Sequence, residues 1–249
     1  MCRHLGYLGA PVTLHDLLFG APHSLCAQAR DPRYQISGRT NPDGWGVAWY
    51  PEPDAPGSQP ASPAPARYRT VTPIWDDSTF AATSRGITSG VVIAAARLAS
   101  PGATLVEAGN APFVSGPWSF SLNGAVAGYR DGIEEELRAQ VTPGRLAEIR
   151  SDADSEVLFA LVLDRIDAGD TPAAALASVI DRVTACTTGR LNLLLSDGHG
   201  IVAVRYGNSL FARRTIVASE PLDADDDWLE VPDHSLVVVT PDGFTHTPL

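Results

Sequence analysis

The sequence predicts an α+β protein in which two β-sheets pack between helical layers, and three observations lead there. Strand-like segments come first, amphipathic helices follow and strand-like segments return, with no internal repeat and no strict βαβ alternation. Val91 to Arg97 is an almost continuous apolar run, the pattern of a strand covered on both faces. Asp154 to Ala168 sets Leu158, Leu161, Val162 and Ile166 along one helical stripe, which needs an apolar surface to bury against.

The elements follow in chain order. Cys2 to Gly9 is mostly apolar after His4 and carries two glycines, which predicts a strand beginning almost at the start of the chain. Asn41 to Tyr50, NPDGWGVAWY, reads as a turn delivering a second strand, with glycines that permit close backbone approach. Pro51 to Ala66 is dense in Pro, Ala, Ser and Gly and reads as a mobile hairpin excursion. Asp76 to Gly86 predicts a short helix. Trp118 to Leu122 and Ala125 to Tyr129 flank Asn123-Gly124, a strong hairpin-turn signal. Asp152 or Asp154 is placed to cap the helix that follows, and Thr171 to Cys186 makes a second amphipathic helix. From Leu191 the pattern is short strands with turns at Asp197-Gly198, Gly207-Asn208 and Pro241-Asp242-Gly243. The acidic Asp223 to Asp227 reads as a solvated loop before a last hairpin.

Composition narrows the chemistry. A chain of 249 residues with 44% hydrophobic and 19% charged residues suits one globular domain, taken as residues 2–249. No apolar run reaches the roughly 20 residues of a spanning helix, and no basic-then-apolar leader opens the chain, so a cytoplasmic protein away from membranes is expected. The net charge of −11 argues against nucleic acid and for a cationic or zwitterionic small molecule. All 18 basic residues are arginines, which excludes Schiff-base, Walker-loop and lysine-base chemistry. A free α-amino group, with a pKa of about 7.7–8.0, is then the only amine. Three cysteines match neither a zinc knuckle nor a disulfide framework, and Cys26 and Cys186 read as inert buried thiols. His4, His23 and His199 read as structural, with no metal-ligand spacing, so neither metal nor organic cofactor is expected. Oligomeric state is left open.

Cys2 stands apart by position. Its small side chain favours removal of Met1, which would leave a thiol and an α-amine on one residue, a nucleophile beside its own base. On position alone, the favoured reading of Cys2 is an ordinary second residue of a strand.

Its company decides. MCRHLGYLG, DGWGVAWY, AAARLASPG, NAPF, LNGAVAGY, DADSEVLFALV and VASEPLD, in that order, resemble the class II glutamine amidotransferase domain, an N-terminal-nucleophile (Ntn) hydrolase, over most of the chain. Within that group MCRHLG, PIWDD, RLNLLL and ASEP are similar to the γ-glutamyl-hercynylcysteine sulfoxide hydrolases of ergothioneine biosynthesis. The resemblance implies a four-layer αββα fold and cleavage of a γ-glutamyl amide. It implies that Arg97 holds the substrate α-carboxylate and Asp154 the α-ammonium, Asp152 being the alternative register. It implies that Asn123 and Gly124 form the oxyanion hole, although the pair by itself is a hairpin turn.

Leu98-Ala99-Ser100-Pro101 stands where glutamine-specific members often carry Trp-Ala-Thr-His. Asn110-Ala111-Pro112-Phe113 lacks the common histidine, and Leu122 precedes Asn123 where histidine is usual. These departures favour a leaving group bulkier than ammonia, as does a chain fully consumed by the hydrolase domain. For a trimethylammonium on that group, Trp75 with Asp76 or Asp77 is the expected aromatic and acidic patch. The rival readings are a general γ-glutamyl hydrolase or glutaminase and an inactive binding relative.

Overall fold

The computed structural model describes residues 2–51 and 64–249. Met1 and most of the Pro51 to Ala66 excursion lie outside them, and so do the expectations placed there.

One sheet contains β1 (Arg3–Thr13), β2 (Trp45–Trp49), β3 (Ala66–Thr70) and β4 (Thr88–Ala96). The second contains β5 (Phe113–Ser115), β6 (Trp118–Val126), β7 (Gly189–Ser196) and β8 (Ile201–Arg205). The chain returns to the first with β9 (Phe211–Arg213), β10 (Ile216–Ala218) and β11 (Leu229–Glu230), and ends in the second with β12 (Ser235–Thr240) and β13 (Gly243–Pro248). Strand order is β11-β9-β10-β1-β4-β2-β3 in one sheet and β13-β12-β8-β7-β6-β5 in the other, with antiparallel neighbours.

The apolar run behaves as its composition demands. β4 sits between β1 and β2, with Val92, Ala94 and Ala96 facing one core and Val91 and Ile93 facing another. The core between the sheets joins Ile93 to Leu194, Ile201 and Val237. The outer face of the first sheet is covered by α1 (Leu25–Arg30) and α2 (Ser78–Thr83) through Leu25, Ala29 and Phe80. The outer face of the second is covered by α5 (Asp154–Asp167) and α6 (Pro172–Cys186), where Leu158, Leu161, Leu176 and Val183 meet Leu193 and Leu195. Two short helices, α3 (Ile133–Arg138) and α4 (Pro143–Leu146), lead into α5. The result is helix, sheet, sheet, helix.

Helix starts follow local chemistry. Thr171 caps α6 by accepting from the Ala174 N–H at 3.2 Å, and Asp77 caps α2 by accepting from Phe80 N–H at 3.0 Å. The cap expected for α5 is not formed. Asp152 turns to Thr104 and Arg130, Asp154 is already the first helical residue, and Glu156 takes the Arg150 and Ser151 N–H groups instead.

Two further expectations are corrected. Asn123-Gly124 is not a turn but the middle of β6, and the turn between β5 and β6 lies at Gly116, with φ 55°. Gly124 serves close approach: a Cβ there would stand 1.7 Å from the Arg190 carbonyl oxygen on β7. The acidic loop is not simply solvated, because Asp223, Asp225 and Asp227 gather around Arg213, whose guanidinium also lies 4.6 Å from the Trp228 ring.

Candidate active site

Alternation along β1 aims the residues that matter. Leu5 and Tyr7 join the helix-covered core, so Cys2, His4 and Gly6 face the gap between the sheets. His4 proves the point: its Nδ1 meets Ser121 Oγ of β6 at 2.9 Å. Two residues back along β1 and two forward along β6 bring Cys2 toward Asn123 and Gly124, and Cys2 and Gly124 line one cleft.

The backbone of Cys2 is fixed from behind. Arg3 is fully buried; its Nε donates to the Cys2 carbonyl at 2.8 Å and its Nη1 pairs with Glu220 Oε1 at 2.7 Å. Glu220 also accepts from His23 Nε2 at 2.7 Å and from the N–H groups of Arg33 and Tyr34 at 2.9 and 3.1 Å. Burial raises the Glu220 pKa, but the His23 bond, the two backbone donors and the Arg3 charge outweigh it and leave the carboxyl below its ordinary range. His4 is pulled down to about 3, first by burial and then by Arg3, so it is a neutral imidazole.

Arg97 follows the last residue of β4. The DGWG turn holds its backbone: Arg97 N–H donates to Gly44 O at 2.8 Å, and Asp43 N–H to Arg97 O at 3.0 Å. Gly44 has φ 109°, and a Cβ there would stand 2.2 Å from Asn110 Nδ2, so only glycine fits. The Arg97 side chain, 8% exposed, donates to Asn110 Oδ1 at 3.3 Å and Thr104 O at 3.4 Å. Among the described residues no carboxylate pairs with it directly, so it is a desolvated cation bonded to neutral oxygens.

Asp154 faces it at the start of α5. Its carboxylate accepts from Val126 N–H at 2.9 Å and from Ser155 N–H at 2.7 Å. Burial raises its pKa, and those two donors with the Arg97 and Arg130 charges only partly offset the rise. Asp152 is differently placed: it pairs with Arg130 at 3.0 Å and accepts from Thr104 N–H at 3.0 Å and Oγ1 at 2.9 Å.

Together these residues enclose a cleft of about 250 Å³ lined by Cys2, Arg97, Leu98, Gly124, Tyr129, Arg130 and Asp154. A thiol, a buried guanidinium and a carboxylate thus share one concave space. Cys2 Sγ is 4.0 Å from Leu98 O. Asn123 lies on the inter-sheet face of β6, fully buried, its Nδ2 donating to Ser219 Oγ at 3.1 Å.

The model of class II glutamine amidotransferases matches residues 17–215. The chain belongs to that family. It is 34% identical to the γ-glutamyl-hercynylcysteine sulfoxide hydrolase of Mycobacterium tuberculosis, over all of this chain and 97% of that one. Among solved structures, a glutamine aminotransferase class-II domain protein from Silicibacter pomeroyi superposes with TM-score 0.71 at 26% identity, covering 99% of each chain. The glutamine phosphoribosylpyrophosphate amidotransferase of B. subtilis, at 14% identity, shares the fold over 99% of this chain and 49% of its own, with TM-score 0.66. The four layers are therefore those of the Ntn-hydrolase amidotransferases.

Trp75 lies apart from these residues. It packs, partly buried, against the core under the outer helices of the first sheet and takes no part in lining the cleft. Asp77 caps α2 and accepts from Trp45 Nε1 at 3.2 Å and the Tyr68 hydroxyl at 2.7 Å, so it too is structural. Cys26 and Cys186 are partly rather than fully buried. Burial raises the Cys26 pKa, and a bond to Glu136 followed by burial raises that of Cys186, which keeps both as thiols. Sequence reasoning gave no role to Arg3, Ser219 or Glu220. MCR and ASEP were visible words, but a bond across 217 positions leaves no periodic or spacing signal.

Proposed function

We propose that the chain hydrolyses the γ-glutamyl amide of γ-glutamyl-hercynylcysteine S-oxide, releasing glutamate and hercynylcysteine S-oxide, as one cytoplasmic catalytic domain over residues 2–249. The observation that carries this reading is the opposition of Arg97 and Asp154 in the cleft of Cys2. A glutamyl group presents an α-carboxylate and an α-ammonium a few ångströms apart. A buried guanidinium bonded only to neutral oxygens suits the first, and a carboxylate whose burial disfavours its own charge suits the second. The full-length likeness to the M. tuberculosis hydrolase supports the leaving group, as do Leu98, Ser100 and Pro101 beside the clamp.

In this reading Met1 is removed and the Cys2 α-amine takes the thiol proton. The thiolate attacks the γ-carbonyl carbon, and the oxyanion is met by the Asn123 amide and the Gly124 N–H. Collapse breaks the C–N bond, the α-ammonium returns the proton to the leaving amine, and water hydrolyses the glutamyl thioester. No metal or organic cofactor enters.

The test is glutamate release from the hercynyl sulfoxide, glutathione and glutamine, together with the intact mass of the protein. A kcat/KM at least tenfold higher for the sulfoxide, in protein lacking Met1, supports the proposal. Equal values for all three would make it a general γ-glutamyl hydrolase, and no release from any would make it a binding relative. Cys2→Ala should abolish turnover.

A further inference from the structure

The loop after β10 carries a hydroxyl that no step above uses. Ser219 is fully buried and stitched to the backbone two residues beyond the nucleophile: Ser219 N–H donates to His4 O at 2.9 Å, and His4 N–H donates to Ser219 Oγ at 2.9 Å. The same oxygen receives Asn123 Nδ2 at 3.1 Å. With that amide orientation both lone pairs of Ser219 Oγ are filled, and among the described residues its own hydrogen has no acceptor and the buried Asn123 Oδ1 has no partner. A buried donor and a buried acceptor are thus left unpaired side by side, which folded proteins rarely tolerate.

Exchanging the two ends of the Asn123 amide pairs the hydroxyl and Oδ1 with each other and moves the unpaired position to Nδ2. Ser219 O–H then donates to Oδ1, while Oγ still accepts from His4 N–H. The rest of Asn123 is held: Asn208 Nδ2 donates to its backbone carbonyl at 2.9 Å, and Asn192, opposite on β7, is occupied with the backbone of Tyr206, Asn208 and Ser209. In this arrangement the unpaired end of the Asn123 amide is Nδ2, a donor on the residue next to Gly124, which lines the cleft of Cys2.

We infer that Ser219 is a positioning residue that sets the orientation of the Asn123 amide, presenting its N–H₂ to the oxyanion formed on attack by Cys2. The inference rests on the proposed role of Asn123. It ties that donor and the nucleophile strand to one side chain, so neither shifts without the other. Such a donor, fixed before the reaction and shielded from water, favours the transition state over the bound substrate.

A double-mutant cycle on the full-length enzyme tests it. Asn123→Ala should lower kcat by about 10²–10³-fold with KM nearly unchanged. Ser219→Ala should lower kcat by about tenfold or more in the same pattern, Ser219→Thr should keep most of the activity, and the double variant should be no slower than Asn123→Ala. Alkylation of Cys2 by iodoacetamide should proceed at the same rate in each, which separates a lost oxyanion donor from a disturbed nucleophile. Multiplicative losses in the double variant, or wild-type kcat in Ser219→Ala, would overturn the inference while leaving Asn123 in place. An Asn123→Ala variant with wild-type kcat would instead remove the oxyanion reading, and this inference with it. If Ser219→Ala does not fold, Ser219→Cys, a weaker donor of similar size, replaces it in the same cycle.

Discussion

Two buried arginines start from neighbouring backbone positions in the first sheet, Arg3 at the start of β1 and Arg97 just past the end of β4, where Arg3 is registered against Ala96. Arg3 carries its counter-ion within the protein, Glu220 at 2.7 Å, and that carboxylate is in turn saturated by His23 and two backbone N–H groups. Among the described residues Arg97 has the Asn110 amide and the Thr104 carbonyl as its direct partners, with Asp154 acting on it as a more distant charge. Burial costs a cation in both places. What differs is where compensation comes from, and that separates a charge that organises the chain from one that recognises a ligand.

The sharpest way to break this contrast is to remove one charge at each place. Glu220→Gln leaves Arg3 buried without an anion, which typically costs about 3–5 kcal/mol. For a domain of this size that is a fall in Tm of roughly 6–20 °C. Arg97→Met should leave Tm within a few degrees and lower kcat/KM by about 10²–10³-fold, since a desolvated charge pair with a ligand is worth about 2–5 kcal/mol. Thermal melts and glutamate release on both variants decide it. Reversed results, with Arg97→Met unfolding and Glu220→Gln merely slowing, would show the assignment of the two arginines to be backwards.

The pH dependence sharpens the same contrast through opposite signs. His4 and Glu220, around Arg3, both have pKa values lowered by folding. Their contribution is present above the unfolded values and is lost as pH falls: for His4 from its ordinary 6.5 toward about 3, and for Glu220 below its ordinary 4.5. Asp154, beside Arg97, is raised by burial, so its charged form is a cost to folding that protonation relieves. An ammonium ligand relieves it too. Free glutamate should therefore raise Tm more at pH 7 than near pH 4, and Asp154→Asn should flatten that difference. A glutamate shift independent of pH in the wild type would remove Asp154 from the clamp.

The same two places show what was legible beforehand. The layered fold could be read because β4 and α5 write their burial into local composition, an unbroken apolar run and a helical stripe. Cys2, Arg97 and Asp154 came from family words, and the structure gathers them in one cleft. Asn123-Gly124 misled as a turn because the signal for two φ > 0 residues and the signal for a strand pressed against a neighbouring carbonyl are both written with glycine. The Arg3–Glu220 pair was illegible for a different reason. It joins the first strand to the loop after β10, and no local pattern encodes a contact made only when the sheet closes.

A smaller effect tests the outer layer against the cleft. Trp75→Ala should remove packing against the core beneath α1 and α2 and lower Tm by a few degrees. The ratio of kcat/KM between the hercynyl sulfoxide and glutamine should not move. A selective loss with the sulfoxide alone would place Trp75 in the leaving-group patch.

The smallest expected effect concerns a third arginine, which completes the series. Arg213 pairs with Asp223 at 2.9 Å, Asp225 at 2.9 Å and Asp227 at 3.1 Å, and its side chain is 17% exposed. Here the cation is over-supplied with anions, and two of them are largely in water, Asp225 at 71% and Asp227 at 49% exposure. Removing one leaves the charge paired, and an exposed pair is worth about 0–1 kcal/mol. Asp225→Ala should therefore shift Tm by no more than about 2–4 °C, and salt should shrink the shift further. Asp223 differs because it holds both Arg213 Nη2 and Trp228 Nε1 at 2.9 Å, so Asp223→Ala should cost more than Asp225→Ala. If the two substitutions cost the same, the acidic loop is held by its net charge rather than by the geometry of one carboxylate.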